Sequence, residues 1–416
     1  MVKKKIIIVS IFLLAFSGTA DAIISVLKVS DGITVTFDAQ TLVDPIGCVY
    51  IDSLYLTRLT PGEINVGSVI VDTARFSKKL EGKSAFRVAI FIEGYEGNEL
   101  TRQVYAGEFN NTLNFLGEAI IDTKLQNFVF KRFTELQQIR AKIKEEGALW
   151  KADLTSVFML LDEDRVKLCG FRAPQTKGEY IPPQPKDSGR QFPPYLDWTN
   201  KDGVNWMTRV KDQGPAGTCW AFAGVGQAEA LINIVTNTPN PNFDLAEQTV
   251  VSDCCRYCGD CAGGMHFWVL MYARNNGIPS ETFDPYRARN GPCCKRPSKL
   301  WKIKSYSCVT WQDTTPAIIK NALQYHPLST AVFAPTSGSW DWRAYTGGVY
   351  SYGGPATNPN HCVVFVGWND NDEGGTQTWK IKNSWGEDWG ENGYMRLKRG
   401  QNNHCGWYTF DADYEP

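Results

Sequence analysis

Two changes in the pattern of apolar residues divide the 416-residue chain into regions that no single regular fold accommodates. From residue 23 to about residue 115, apolar and polar residues alternate in short runs, as in residues 33–37 (ITVTF), and Gly, Asp and Pro separate these runs. Alternation with a period of two is typical of strands with one buried face. We therefore expect a β-rich N-terminal module over residues 23–115, similar to a β-sandwich, with four to seven strands and a partner that the pattern does not identify.

The period becomes helical after this module. Between residues 128 and 146, an apolar stripe is formed by Val129, Phe133, Leu136, Ile139 and Ile143, and Lys and Glu residues lie on the opposite face. Gly147 is a typical stop signal for such a helix. Six prolines between residues 174 and 194 then predict an exposed, extended linker of the kind that proteases cut. Residues 116–192 are assigned to the helix and linker, and residues 193–416 to a domain rich in aromatic residues, glycine and cysteine.

The first 22 residues have the pattern of a signal peptide. Three lysines at positions 3–5 precede an apolar run over residues 6–16, and Ala20-Asp21-Ala22 matches an A-x-A cleavage site. The apolar run is too short to span a bilayer. The mature protein is therefore expected to be secreted or exported, to an extracellular, periplasmic or lysosome- or vacuole-like compartment, with no membrane attachment once the signal is removed.

Charge and cysteine content narrow the function further. The 43 Lys and Arg residues nearly balance the 44 Asp and Glu residues, and no stretch concentrates one sign, so a nucleic-acid partner is not expected. Twelve cysteines beside four histidines favour disulfides in an oxidising compartment. No cofactor and no metal is expected, although the C-x-x-C-x-x-C spacing of Cys255, Cys258 and Cys261 also suits zinc.

Three residues suggest nucleophilic catalysis by a thiol. Cys219 follows a Gly- and Pro-containing loop and precedes an apolar helical pattern, so it is placed at a helix N-terminus, where the dipole favours the thiolate. His361 begins an apolar run 142 positions later, and Asn383 follows a further short strand. A thiolate needs an imidazole partner and a group that orients it, and these residues in this order supply both.

With these flanking segments the chain resembles the papain family of cysteine peptidases from about residue 193 to its end. The resemblance rests on residues 213–222 (QGPAGTCWAF), 245–248 (LAEQ), 261–264 (CAGG), 360–361 (NH), 383–386 (NSWG) and 391–400 (ENGYMRLKRG). It implies an α+β fold with two lobes, a helical lobe carrying the nucleophile and a β-barrel-like lobe carrying histidine and asparagine. The β-rich module and a helical prosegment would precede this papain-like domain.

The resemblance also implies roles for individual residues. Cys219 would be the nucleophile, His361 its acid–base partner and Asn383 the residue that orients His361. Gln213 would stabilise the oxyanion together with the N–H of Cys219. Trp385 would shield the bond between His361 and Asn383.

Five more positions match the family's substrate-binding cleft. Gly263 and Gly264 would pair with the substrate backbone as an extra strand. Met265, Cys362 and Phe410 would line a pocket for the side chain two residues before the cut, where an apolar group is expected, although core packing explains Met265 and Phe410 equally well. His266, His326 and His404 look isolated and are interpreted as structural or surface residues.

The cysteines depart from the family pattern. Ala216 stands where the family has a cysteine that pairs with the equivalent of Cys261, so that bridge cannot form. By resemblance Cys254 pairs with Cys293 or Cys294. Other bridges are left open among Cys255, Cys258, Cys261, Cys308 and the remaining member of the 293–294 pair. Cys405 lacks its usual partner and would be free or bonded elsewhere.

The helix before the linker resembles the family's inhibitory prosegment only in part. Arg132, Leu136 and Ile143 keep its spacing, whereas Phe128, Ile139 and Gly147 replace its usual glutamate and asparagines. In the next block Phe158 is kept and Leu160 replaces an aspartate. The leading hypothesis is a secreted cysteine endopeptidase made as a zymogen and acting on peptides or proteins. The alternatives are a binding or adhesion protein whose papain-like domain is weakly active or silent, and an exopeptidase or peptide ligase on the same triad.

Overall fold

The computed structural model describes residues 24–29, 32–37, 42–71, 80, 83–110, 113, 115–174, 191–293, 297–312 and 315–416. The predicted signal peptide, most of the proline-rich linker and Cys294 lie outside these ranges. The chain forms two compact units, residues 1–123 and residues 124–416.

The first unit contains two antiparallel sheets. The first has the order β1-β2-β5 and the second the order β4-β3-β6-β7-β8. The strands are β1 Ile24–Val29, β2 Gly32–Phe37, β3 Val43–Ile51, β4 Leu54–Leu59, β5 Ser68–Val71, β6 Ala85–Glu96, β7 Glu99–Asn110 and β8 Phe115–Glu118. A short helix, α1 Pro61–Val66, lies between β4 and β5.

Residues from both sheets form one apolar core, which includes Val35, Val49, Ile90 and Ile64 of α1. The described residues thus have eight strands, and the expected four to seven was too low. A tight turn at Asp52, whose left-handed φ is 54°, connects β3 to β4. Cys48 lies on β3 as a buried thiol.

The second unit begins with the predicted helix. This helix, α2 Thr123–Glu146, starts five residues before the predicted Phe128 and ends where Gly147 adopts a φ of 60°. Four residues of the predicted stripe are buried, and Ile143 is half-buried. The chain then forms a short strand, β9 Trp150–Ala152, and a single helical turn, α3 Asp162–Arg165.

A helical lobe follows. It is built from α4 Cys219–Val235, α5 Glu247–Val251 and α6 His266–Asn275, with a two-stranded ribbon of β11 Gly259–Asp260 and β12 Gly263–Gly264. Helix α4 is the centre of this lobe, since every residue from Cys219 to Asn233 is buried. A helix that is buried on all sides needs cover on every face, and the buried Glu229 of this helix pairs with Lys211.

The remaining strands form a nine-stranded sheet in the order β13-β19-β14-β16-β17-β18-β15-β9, with β10 paired to β16. They are β10 Tyr195–Asp197, β13 Ser305–Thr310, β14 Leu328–Val332, β15 Tyr345–Tyr350, β16 His361–Asp372, β17 Thr376–Lys382, β18 Tyr394–Lys398 and β19 Trp407–Asp413, and helix α7 Pro316–Leu323 packs beside them. Strand β9 pairs antiparallel with β15, so a segment that precedes the linker completes one edge of this sheet.

This arrangement confirms the predicted α+β class, with a helical lobe and a sheet lobe. Within the described ranges, no helix combines the length and the apolar character that crossing a membrane requires.

Candidate active site

Cys219 is the first residue of α4 and is fully buried. The positive end of the helix dipole lies at its thiol. Burial raises the pKa of Cys219, but hydrogen bonding with Cys362, the charge and hydrogen bond of His361, and the N–H of Gly170 lower it by more. The net pKa lies well below its ordinary value, so the thiolate is favoured.

His361 begins β16, and Asn383 directly follows β17, which pairs with β16. The Nε2 atom of His361 donates to Oδ1 of Asn383 at 2.8 Å. That same oxygen accepts the N–H of Ser384 at 2.8 Å. The ring of Trp385 lies 4.9 Å from the His361 ring, centroid to centroid, and is fully buried. The imidazole is therefore fixed in orientation and shielded from water on this side.

The other nitrogen of His361, Nδ1, has no nitrogen or oxygen partner among the described residues. Burial alone would lower the pKa of His361, but the charge of Cys219 and hydrogen bonding to Cys169 and Cys219 raise it well above its ordinary value. The opposite shifts of the two pKa values have one cause, since each charged group stabilises the other. The pair favours thiolate and imidazolium.

Gln213 lies in the loop before α4 and is fully buried. Its Nε2 atom donates to the carbonyl oxygens of Leu168 at 2.9 Å and Ala216 at 2.6 Å. Its Oε1 atom accepts the hydroxyl of Ser384 at 2.7 Å, and its backbone N–H donates to the Ser384 carbonyl at 2.9 Å. Ser384 therefore fixes which end of the Gln213 amide points toward the nucleophile.

A segment that precedes the linker occupies this site. We refer to residues 168–172 as the groove segment. The N–H of Gly170 points at the Cys219 sulfur at 3.3 Å. Phe171 forms a parallel bridge with Gly264, in which Gly264 N–H donates to Gly170 O at 2.8 Å and Arg172 N–H donates to Gly264 O at 2.9 Å. The nucleophile thus faces an N–H donor and not a carbonyl carbon.

Comparison with known proteins agrees with this geometry. Residues 192–412 match the family model described as papain family cysteine protease. The chain belongs to the papain family. Chymopapain of Carica papaya is 34% identical over 302 residues, which cover 69% of this chain and 80% of chymopapain. Bovine pro-cathepsin H is 36% identical over 222 residues, which cover 52% of this chain and 62% of that protein.

Solved papain-family precursors have the same fold. The proform of the ragweed pollen cysteine protease Amb a 11 has a TM-score of 0.56 at 27% identity, covering 68% of this chain and 88% of that one. Procathepsin L2 from Tenebrio molitor larval midgut has a TM-score of 0.60 at 23% identity, covering 71% and 95%. Among curated relatives, the chain spans 54% of germination-specific cysteine protease 1 of Arabidopsis thaliana, to which it is 35% identical, and covers less than two thirds of pro-cathepsin H as well.

The predicted pocket residues of this papain-family chain lie close to the site but are deeply buried. Met265, Cys362 and Phe410 are each exposed by 2% or less. The ring of Phe410 stacks on Phe267 at 5.1 Å. Core packing therefore accounts for much of their burial, and Gly263 and Gly264, also buried, form the strand edge that the groove segment occupies.

His266 is fully buried and has a partner for each ring nitrogen. Its Nδ1 atom lies 3.3 Å from the Cys362 sulfur, and its Nε2 atom lies 2.6 Å from the carbonyl oxygen of Tyr408. The ring of Phe171 lies 6.2 Å from the His266 ring and 5.3 Å from the Tyr408 ring, so Phe171 covers this buried histidine. Burial lowers the pKa of His266 to about 4, and the Tyr408 carbonyl opposes this only in part.

Two disulfides join described cysteines, Cys254 to Cys293 and Cys255 to Cys258. The first is one of the two pairings that the resemblance left open for Cys254. The second removes two of the three thiols of the zinc-like spacing. Cys261 and Cys405 are reduced thiols.

Among the described residues, the carboxylates of Asp244, Glu247 and Glu281 also lie close enough together to bind a metal ion. The ammonium group of Lys211 already lies among them, 2.7 Å from Asp244 and 2.7 Å from Glu247. The position that a cation would occupy is therefore already held by the ammonium group of Lys211.

Sequence reasoning missed three residues of this site, Cys169, Gly170 and Ser384. Ser384 lies beside Asn383 in the quoted NSWG block, so its position could have been noticed. Cys169 and Gly170 lie in a region whose resemblance was traced only to residue 160. Gly170 lies 49 residues before Cys219 in the sequence, and the two residues are brought together only by the path of the chain between them.

Proposed function

We propose that this chain is a cysteine endopeptidase made as a latent precursor, which hydrolyses peptide bonds through an acyl-enzyme on Cys219. The observation that carries the proposal is the ordered set Cys219, His361 and Asn383, in which Asn383 holds the imidazole at 2.8 Å and the thiol and imidazole shift each other's pKa toward the ion pair. A thiolate with a fixed imidazolium is the arrangement that nucleophilic acyl transfer requires.

The first step forms a bond between the Cys219 sulfur and the substrate carbonyl carbon. The resulting oxyanion accepts hydrogen bonds from Gln213 Nε2 and from the Cys219 N–H, which is free of an intrahelical acceptor at the first position of the helix. Gln213 Nε2 already donates to a carbonyl oxygen, that of Leu168, at 2.9 Å. His361 then gives its proton to the leaving amine and later takes one from the water that hydrolyses the thioester.

The groove segment supports the latent state. It pairs with the strand edge at Gly264 and accepts the hydrogen bond that Gln213 Nε2 donates. Its Gly170 N–H points at the Cys219 sulfur. Cleavage in the region 175–190 would sever it from the peptidase domain without cutting a described strand or helix. The A-x-A pattern at residues 20–22 and the two disulfides support export before activation.

The test uses an internally quenched peptide blocked at both ends, so that only an endopeptidase releases fluorescence. The wild-type chain, incubated under acidic, reducing conditions until it is cut between residues 147 and 194, should cleave it. A Cys219→Ala chain cut at the same place by an added protease should lose at least 10⁴-fold in rate. Cys261→Ser, which changes a thiol outside the triad, is the matched control and should retain activity.

The results also separate the alternatives. Activity of Cys219→Ala would refute the acyl-enzyme mechanism, and activity of the intact chain would refute latency. Cleavage restricted to peptides with a free terminus would favour an exopeptidase. Wild-type protein that is inert after cutting, yet still folded, would favour a binding function for the N-terminal module.

A further inference from the structure

Three thiols, of Cys219, Cys362 and Cys169, lie close together beside His361. Cys362 lies near enough to Cys219 to lower its pKa, and Cys219 and Cys169 lie near enough to His361 to raise the pKa of its ring. Cys219 and Cys362 belong to the peptidase domain, whereas Cys169 belongs to the groove segment. Cys169 and Cys219 are therefore a pair of thiols at the nucleophile, one from the prosegment and one from the peptidase domain.

We propose that Cys169 and Cys219 are a modification site, at which a disulfide bond locks the groove segment over the nucleophile until a thiol reductant opens it. This proposal rests on the proposed function, in which Cys219 is the nucleophile and the groove segment is inhibitory.

The distances allow this bond. Gly170 N lies 3.3 Å from the Cys219 sulfur, and an amide nitrogen lies about 2.4 Å from the preceding Cα, so the Cα of Cys169 is at most about 5.7 Å from that sulfur. In a disulfide the S–S bond is about 2.0 Å long, so each sulfur lies about 4 Å from the Cα of the partner cysteine. Rotation of the Cys169 side chain with a small backbone shift brings the two sulfurs into bonding range.

Cys169 is a better partner for Cys219 than Cys362 is. Cys169 is half-buried, so an oxidant can reach it, whereas Cys362 is fully buried and also contacts His266 Nδ1 at 3.3 Å. Burial raises the pKa of Cys362 well above its ordinary value, which keeps it in the unreactive thiol form. Cys169 instead directly precedes Gly170, whose N–H lies 3.3 Å from the Cys219 sulfur.

The oxidant is a small-molecule disulfide of the glutathione class, which an oxidising export compartment supplies. The Cys169 thiolate attacks one sulfur of this disulfide, forms a mixed disulfide and releases one thiolate, which takes up the proton that Cys169 lost. The Cys219 thiolate then attacks the Cys169 sulfur of the mixed disulfide and releases the second thiolate, which takes a proton from the His361 imidazolium. Two protein thiols are oxidised and one disulfide is reduced to two thiols, so atoms and electrons balance.

The test compares the full-length chain before and after treatment with oxidised glutathione at neutral pH. Remaining thiols are blocked with N-ethylmaleimide, and the chain is digested and mapped by mass spectrometry without reduction. We expect a linked pair of peptides containing Cys169 and Cys219, which disappears on reduction with dithiothreitol. Alkylation of Cys219 by iodoacetamide should fall at least tenfold after oxidation and return after reduction.

A Cys169→Ser chain should give no linked peptide and should keep its rate of Cys219 alkylation after oxidation, because the accessible thiol that forms the mixed disulfide is missing. Cys261→Ser, which changes another half-buried thiol, should behave as wild type. A Cys219–Cys362 bridge, or maleimide on both Cys169 and Cys219 after oxidation, would overturn the proposal. Reduced, processed wild-type protein that fails to cleave the blocked peptide would refute the proposed function instead, whatever the peptide map shows.

Discussion

The segment before the linker contacts the peptidase domain in two regions that differ in chemistry. In the first, which we call the ionic cluster, four side chains of the prosegment meet two of the domain; its members are Arg132, Glu135, Asp162, Arg165, Asp341 and Arg343. In the second, the groove segment binds mainly through its backbone, using the N–H of Gly170, Phe171 and Arg172 and the carbonyls of Leu168 and Gly170. Ion pairs stabilise the first region, and backbone hydrogen bonds stabilise the second.

This difference has a consequence for specificity and for inhibition. The ionic cluster needs particular side chains, since Arg165 bonds both Glu135 and Asp341 at 3.0 Å. The groove segment binds mainly through backbone atoms and needs a residue without a side chain at position 170, while the ring of Phe171 adds contacts with Tyr408. It can therefore bind the same edge that any peptide would use, while the ionic cluster supplies the attachment that a free peptide lacks.

The largest effect is expected from Gly170→Ala in the groove segment. An added Cβ would lie 1.9 Å from the backbone oxygen of Gly217, so the segment must move away. Five hydrogen bonds at about 0.5–1.5 kcal/mol each are then lost, a total of about 4 kcal/mol. The rate of Cys219 alkylation by iodoacetamide, measured by peptide mapping in the reduced full-length chain at neutral pH, should rise about 10³-fold.

The control for Gly170→Ala is Ala173→Ser, an exposed position in the same stretch, which should leave the rate unchanged. A rate for Gly170→Ala within threefold of wild type would mean that the groove segment does not limit access to Cys219.

A second prediction concerns acid and the groove region. The pKa of His266 is lowered to about 4 by burial, while an unfolded histidine has a pKa of about 6.5. Between pH 6.5 and pH 4 the histidine is protonated in the unfolded chain but neutral in the folded chain. The unfolded chain therefore binds more protons, and the free energy of unfolding falls as the pH decreases from about 6.5 to 4. At pH 4 this one residue should reduce the free energy of unfolding by about 3 kcal/mol relative to pH 7.

This effect can be measured by urea unfolding of the full chain followed by tryptophan fluorescence. All fourteen tryptophans lie after residue 149, so the signal reports the second unit alone. On a Cys219→Ala background, which avoids self-digestion, His266→Phe should remove about 3 kcal/mol of the difference between pH 7 and pH 4. An unchanged difference would show that another group controls the acid response of this region.

These two predictions also show what the sequence could reveal. The papain-like fold followed from motifs such as residues 213–222, and so did the expectation that Cys219, His361 and Asn383 lie together. Each of these residues lies at the start or end of a helix or strand with a recognisable pattern. Arg132 was noticed for its spacing, and its full burial in the ionic cluster accords with that spacing.

The contacts that sequence could not reveal are of another kind. The bonds of the groove segment use main-chain atoms, which carry no residue signature. His266 depends on Cys362 and on Tyr408, a residue 142 positions away, and no local pattern joins them. The described part of the N-terminal unit has eight strands, and their boundaries depend on pairing between strands that no local pattern specifies.

A third prediction tests the ionic cluster through Arg165→Ala. The Arg165 side chain is 8% exposed and that of Asp341 is 2% exposed, so removing the arginine leaves Asp341 buried with Arg343 as its remaining ion-pair partner. Loss of one member of a buried charge pair costs about 2–3 kcal/mol here, at the low end of the usual range because Arg343 remains. Cys219 alkylation in the full-length chain should accelerate about 30- to 150-fold.

Lys167→Ala is the matched control, because Lys167 also pairs with a carboxylate, Asp164 at 2.7 Å, but is 51% exposed. Exposed pairs contribute at most about 1 kcal/mol, so its rate should stay within about fivefold of wild type. Equal effects of the two variants would mean that burial does not distinguish the ionic cluster from the surface.

The smallest effect is expected from Asp162→Asn, and it separates the two regions by their pH response. Hydrogen bonds from Arg132 and Lys131 lower the pKa of Asp162. A carboxyl group with a lowered pKa stabilises the folded state above about pH 3.9, its unfolded value, and loses this contribution only as pH falls further. Asp162 is 61% exposed, so screening by water keeps its contribution below about 1 kcal/mol and the change in Cys219 alkylation within about fivefold.

Between pH 5 and pH 7 the ratio of alkylation rates in Asp162→Asn and wild type should therefore be constant, since Asp162 stays ionised throughout. The corresponding ratio for His266→Phe should change over the same range, because Phe171 covers His266 and its release lets the ring take up a proton. Acid would then loosen the groove segment while the ionic cluster still holds. A ratio for Asp162→Asn that varies with pH, beside a constant ratio for His266→Phe, would assign the acid response to the ionic cluster instead.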